Sequence, residues 1–239
     1  MSEIFGPTIQ GEGRSQGRSV VFLRLGLCNL DCSWCDTPYT WDWTGKNGIK
    51  YDKAKELTRK PVREILETLL WMCDHKVTRV VISGGEPMIQ QKPLADLIAG
   101  LYAEGVSCEI ETNGTIEPSP EMVNLCEIGA LSLNCSPKLT NSGVTSDDRI
   151  NPQALETIMH TGAIFKFVVS DDHDLDEIDQ LLETTLTDVD KDKIYIMPEG
   201  TTQQKIASRL AWAFDKASQR GWSLSPRLHV LAFNDMRGI

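Results

Sequence analysis

At 239 residues, with 41% hydrophobic and 24% charged positions, the chain has the size and composition to bury one sizeable core. With 34 acidic against 24 basic residues its net charge is −10, a field that opposes DNA or RNA and favours a small-molecule substrate. No apolar run approaches the roughly 20 residues of a membrane span, and Met1–Pro7 lacks the basic and apolar regions of a signal peptide.

Taken in order, residues 4–19 read as loop: Ile4-Phe5-Gly6-Pro7-Thr8-Ile9-Gln10-Gly11-Glu12-Gly13, then a polar stretch. Glycines flanking Gln10 and Glu12 let the backbone approach a ligand while two polar side chains point at it. An apolar strand at 20–25 follows. On it Arg24 shares a face with Val20 and Phe22, so its guanidinium needs a carboxylate such as Glu12 or an anionic ligand. Directly after come Cys28-Asn29-Leu30-Asp31-Cys32-Ser33-Trp34-Cys35, a C-x3-C-x2-C run able to wrap one metal centre. Structural cubanes and structural zinc sites take four protein ligands. A centre held by three keeps one position open for chemistry. A zinc ion completed by Asp31, Asp36 or a distant histidine is the alternative.

Asp36-Thr37-Pro38-Tyr39 leads into a polar insertion at about 40–60 with Trp41, Trp43, Gly45 and Gly48, expected to be a lid or docking surface. Pro61 opens a helix with Val62, Ile65, Leu66, Leu69 and Leu70 at helical spacing. Strands at Arg79–Ser83, Ser107–Glu111, Ala130–Asn134, Ile164–Val169 and Lys193–Met197 then alternate with helices at about 92–103, 120–127, 152–160, 174–186 and 202–219. Alternation of this kind argues for an α/β fold with a parallel sheet. About six parallel strands rather than eight predict a partial, open β/α barrel. Leu228–Phe233 is expected as a short edge strand. The whole chain, 1–239, reads as one domain, with a tail at about 222–239 closing the site. Cys73, Cys108, Cys126 and Cys135 read as buried free thiols, which fits a reducing cytoplasm. His75, His160 and His173 read as surface positions.

Ligands of parallel α/β folds bind at the carboxyl ends of the strands, and there the unusual motifs fall. Ser83-Gly84-Gly85-Glu86-Pro87 exposes backbone carbonyls that suit an ammonium group. Glu111-Thr112-Asn113-Gly114, Ser136-Pro137-Lys138 and Met197-Pro198-Glu199-Gly200 end later strands.

The cysteine spacing and the Gly-Gly-Glu-Pro turn resemble the radical SAM superfamily. Gln10-Gly11-Glu12-Gly13, Cys35-Asp36-Thr37 and the His229 tail narrow the likeness to its 7-carboxy-7-deazaguanine synthase family. That resemblance implies a [4Fe-4S] cluster on Cys28, Cys32 and Cys35, with S-adenosylmethionine on its fourth iron. Gly84, Gly85 and Glu86 would hold the methionine amino group, and Ser136 and Lys138 its carboxylate. Glu111, Thr112 and Asn113 would reach the nucleoside, and Met197 and Pro198 the adenine. The implied reaction contracts 6-carboxy-5,6,7,8-tetrahydropterin to 7-carboxy-7-deazaguanine and ammonia through a 5′-deoxyadenosyl radical, with the cofactor regenerated. Ile9, Gln10, Gly11 and Glu12 would hold the pterin edge, Arg24 its carboxylate, with Ser83 as a further contact and His229 in the closing tail. Thr37 would bind Mg2+, a hard ion that keeps places for substrate oxygens. The family also implies a homodimer and a reductant such as flavodoxin or ferredoxin, and neither nucleic acid nor membrane as a partner. The insertion at 40–60, and Met197 where glutamine is commoner, depart from the family pattern.

Overall fold

The computed structural model describes residues 1–239. Its eight strands lie in one sheet in the order of the sequence. β1 (Glu3–Ile9) runs antiparallel to β2 (Ser19–Leu25). From β2 through β3 (Arg79–Gly84), β4 (Ser107–Thr112), β5 (Leu131–Cys135), β6 (Ile164–Val169), β7 (Ile194–Pro198) and β8 (Ser223–Leu224), every pairing is parallel. β1 and β8 are the two edges and do not pair with each other, so the sheet is open. The six strands expected from the sequence are β2–β7, and the α/β architecture is as expected.

The crossover helices are α2 (Val62–Cys73), α3 (Gln91–Ala103), α4 (Pro120–Glu127), α6 (Pro152–His160), α7 (Asp172–Thr184) and α8 (Gln203–Arg220), with short α1 (Lys53–Glu56) and α5 (Ser146–Arg149) in loops and α9 (Leu228–Phe233) near the end. Local chemistry starts them where the sequence indicates. Ser119, Asn151, Asp171 and Thr202 accept backbone N–H bonds from the first turns of α4, α6, α7 and α8. α2 turns Ile65, Leu69 and Cys73 onto the sheet, the burial its apolar spacing demands. All six residues of β6 are buried, as a central parallel strand requires.

Two expectations are corrected. Residues 3–9 are a strand and not part of a loop. Phe5 stacks on Phe22 of β2 (centroids 4.9 Å, planes at 5°), a cross-strand pair that outweighs the Gly6-Pro7 interruption, where the register shifts between Phe5 and Thr8. Leu228–Phe233 is a helix and not an edge strand. The edge position beside β7 is already taken by Ser223 and Leu224, and the segment instead turns Val230 inward with Leu228 and Phe233 exposed. Cys73, Cys108 and Cys135 are buried, Cys126 is half-buried, all seven cysteines are free, and His75, His160 and His173 are exposed. No helix is long and apolar enough to cross a membrane.

Candidate active site

The carboxyl ends of the strands open into one cavity of about 700 Å³. The cysteine loop enters it straight from β2, and its position is set by the β3 turn. Gly85 N and Glu86 N donate to Leu25 O and Leu27 O at 3.2 and 2.7 Å. A Cβ on Gly84 (φ +133°) would strike the Leu25 carbonyl, and one on Gly85 would strike the Leu27 carbonyl and come within 3.0 Å of Cys28 N. Only glycine fits at either place, because the obstacle is backbone. The far side of the loop is anchored too. Asn113 donates to the Asn29 side chain at 3.0 Å, Asn29 donates to Thr115 at 2.8 Å, and Ser33 N donates to Ser142 O at 2.9 Å.

Cys28, Cys32 and Cys35 all line the cavity. Burial pushes the Cys28 thiol up to about 12, and it raises Cys32 and Cys35 as well, so metal must displace protons from all three. Three thiols from one loop facing one cavity are a soft donor set that fits an iron–sulfur cluster. Trp41 Nε1 donates to Cys35 Sγ at 3.3 Å, and Asn47 Nδ2 donates to Cys32 O at 3.3 Å. The 40–60 insertion is thus packed on the cysteine loop, and Trp41, Asn47, Ile49 and Tyr51 wall the cavity.

Arg24 pairs with Glu3 through Nε at 2.8 Å, and not with Glu12. Register decides this, since Glu3 on β1 lies directly opposite Arg24. The two terminal nitrogens of Arg24 have no protein partner and its side chain lines the cavity, which suits an anion. Ser83 also lines it, with a buried Oγ that has no hydrogen-bond partner, a group left for a ligand. Lys138 Nζ donates to Ser136 O and Oγ at 2.9 and 3.1 Å and lies 5.7 Å from the centre of the Trp34 ring.

Glu12 is the hub of a buried ionic cluster. Its Oε2 accepts from Lys166 Nζ, which also donates to Glu111 Oε2 at 2.7 Å, and its Oε1 accepts from Arg227 Nε at 2.8 Å. Burial pushes the Glu12 carboxyl up, but Lys166 and Arg227 outweigh that and hold it well below the usual range. Gln10 is spent within the protein. Its Nε2 donates to Glu109 and Glu111 at 3.3 and 3.1 Å. His229 packs against Gly11, where an added Cβ would strike the imidazole, and Leu228 N donates to Gly11 O at 3.0 Å.

The Radical SAM superfamily model matches residues 24–138. The chain is 33% identical to the 7-carboxy-7-deazaguanine synthase of Pyrobaculum aerophilum over 99% of this chain and 95% of that protein. The chain belongs to the 7-carboxy-7-deazaguanine synthase family. The Escherichia coli protein of that name is 30% identical over 96% of both chains. The crystal structure of QueE from E. coli superposes with a TM-score of 0.67 at 28% identity, covering 94% of this chain and 92% of that one. Streptococcus suis SuiB bound to S-adenosylmethionine shares the fold at 16% identity and a TM-score of 0.56, over 87% of this chain and 46% of that one. Superfamily membership carries a [4Fe-4S] cluster and S-adenosylmethionine as cofactors.

Of the residues singled out in the sequence, Ile9, Gln10, Gly11, Glu12, Arg24, the three cysteines, Thr37, Ser83, Gly84, Gly85, Glu111, Thr112, Asn113, Ser136, Lys138, Met197, Pro198 and His229 all line this cavity. Glu86 does not. It is fully buried behind the turn, accepting from Met88 N, Thr112 Oγ1 and Asn113 N at 2.9, 2.8 and 2.7 Å, so it braces the ends of β3 and β4. Sequence reasoning missed Lys166 and Arg227. Lys166 was visible as the single charge in the apolar run Ile164-Phe165-Lys166-Phe167-Val168-Val169, a place where an ammonium is retained only with partners. Arg227 carried no such signal.

Proposed function

We propose that this chain converts 6-carboxy-5,6,7,8-tetrahydropterin to 7-carboxy-7-deazaguanine with loss of ammonia, using S-adenosylmethionine catalytically, in 7-deazapurine (queuosine) biosynthesis. The observation that carries the reading is a single cavity faced both by the three thiols of one loop and by the uncommitted nitrogens of Arg24. Loss of one ammonia balances the atoms of substrate and product with no net oxidation, in keeping with a regenerated cofactor. Bound there, the cluster and S-adenosylmethionine would supply radical chemistry able to abstract a hydrogen from the pterin.

The chain's own groups then bind, orient and exclude water. Cys28, Cys32 and Cys35 hold the cluster. The Gly84-Gly85 turn presents carbonyls to the methionine ammonium, with Ser136 and Lys138 toward its carboxylate. Met197 and Pro198 abut the adenine, and Thr112 and Asn113 face the nucleoside. Arg24 takes the pterin carboxylate, Ser83 supplies its free hydroxyl, and Glu12 holds the pterin edge, with Glu111 toward the nucleoside. Thr37 would hold Mg2+ through its Oγ1, whose side-chain contact is with the Cys35 sulfur at 3.7 Å. The whole chain works as one domain, the insertion at 40–60 and the tail from 222 to 239 closing the site. We place it in the cytoplasm as a homodimer, reduced by a flavodoxin- or ferredoxin-type carrier.

Anaerobic reconstitution with iron and sulfide, then assay with the pterin, S-adenosylmethionine, reductant and Mg2+, tests the reading. The deazapurine chromophore is expected, and alanine at any of the three cysteines is expected to abolish deoxyadenosine formation. Colourless protein carrying zinc and no sulfide would overturn it.

A further inference from the structure

Arg227 is nine-tenths buried, and its side chain reaches three separate parts of the chain. Nε donates to Glu12 Oε1 at 2.8 Å and Nη1 to Gly200 O at 2.8 Å. Nη2 pairs with Asp36 Oδ2 and stands 3.5 Å from His229 Nε2. Glu12 belongs to the N-terminal loop, Gly200 to the end of β7, and Asp36 to the cysteine loop, between Cys35 and Thr37. The segment bearing Arg227 is itself zipped to the N-terminal loop. Ser225 Oγ accepts from Gly13 N at 2.9 Å, Gln16 Nε2 donates to Pro226 O at 2.6 Å, and Leu228 N donates to Gly11 O at 3.0 Å.

We infer that Arg227 is a positioning residue that couples docking of the 225–229 segment to the order of the Cys35–Thr37 stretch, and that it neutralises Glu12 and Asp36 where anionic ligands bind. The inference rests on the proposed reaction for its second half only. Three acceptors are arranged around one planar fork, a geometry that guanidinium satisfies and ammonium does not. Without that fork, Asp36 faces the cavity with no ion-pair partner, and Glu12 keeps only Lys166. They would then repel both the pterin carboxylate and the methionine carboxylate. Asp36 would also be free to swing as a hard oxygen donor toward the ion expected on Thr37. Lys166 remains to hold one oxygen of Glu12. Asp36 has only Arg227 as an ion-pair partner.

Two measurements on the reconstituted protein test this, with iron content recorded for every variant. In hydrogen–deuterium exchange, Arg227→Gln is expected to deprotect both the 225–229 segment and the 33–40 segment, and Asp36→Asn to deprotect 33–40 with the tail less affected. In kinetics, Arg227→Gln is expected to raise KM for the pterin roughly 10- to 100-fold, the usual cost of losing an outer-shell partner. Arg227→Lys should fall between Arg227→Gln and wild type. Adding Asp36→Asn to Arg227→Gln should recover part of the lost KM, because the stranded charge is gone. Protection at 33–40 unchanged in both single variants would overturn the coupling. A double variant no better than Arg227→Gln would overturn the neutralising role. Should the protein not make the deazapurine at all, the exchange arm still decides the coupling, so the two failures are distinguishable.

Discussion

Replacing Lys166 with methionine probes the ionic hub most directly. The two side chains are of similar length, so little cavity is created; what is lost is one ammonium, 2% exposed, lying between Glu12 and Glu111. Glu12 keeps Arg227, while Glu111 keeps only the Gln10 amide at 3.1 Å. Stranding a buried charge by removing its partner costs about 3–5 kcal/mol, a large share of the roughly 5–15 kcal/mol typical of a folded protein. Urea unfolding of the apoprotein at pH 7 reads the loss. Lys166→Met together with Glu111→Gln is expected to be more stable than Lys166→Met alone, since the amide no longer carries the stranded charge. The pH dependence has a definite sign. In the wild type the Glu12 carboxyl is held well below its ordinary value of 4.5, so its contribution is present above that value and is lost as pH falls below it. In Lys166→Met the Glu12 carboxyl loses one of the two cations that hold it down and takes up its proton at higher pH, so the gap between variant and wild type narrows as pH drops from 7 toward 4. A loss under about 1 kcal/mol, or a gap constant across that range, would show that Lys166 does not hold the hub together.

Gly85→Ala forces a Cβ into the Leu27 carbonyl, where neither side can yield; overpacking of this kind costs about 1–3 kcal/mol or more, and reduced iron per chain with a lowered Tm is the expected readout. Gly11→Ala meets a movable side chain instead, the His229 imidazole. Proteolysis of the tail should quicken, and pairing the change with His229→Ala should restore resistance. Arg24→Ala should keep its iron but bind the pterin more weakly, by about 2–5 kcal/mol if the guanidinium pairs with the substrate carboxylate in a dry site; unchanged KM would remove Arg24 from the site.

The central strands and crossover helices were legible because each carries its own periodic apolar signal, and β2–β7 with α2, α3, α4, α6, α7 and α8 lie where that signal put them. The cysteine loop and the strand-end turns were legible for a related reason: their residues are neighbours in the chain, so spacing alone constrains their geometry. β1 was hidden because its strand character comes from pairing with β2 and from Phe5 on Phe22. α9 was misread because a six-residue, mostly apolar segment suits either state until the edge beside β7 is seen to be filled.

What the amino-acid order determined unaided was the alternating fold, the three thiols beside the first parallel strand, and the motif residues at the strand ends. Which charges meet was decided only by folding: Arg24 with Glu3 across 21 positions, Lys166 with Glu12 across 154, and Arg227 with Glu12 across 215. Electrostatic partners of that separation leave no periodic trace, because an ion pair depends on distance in space and on exclusion of water, and neither exists until the sheet has brought the ends of its strands together.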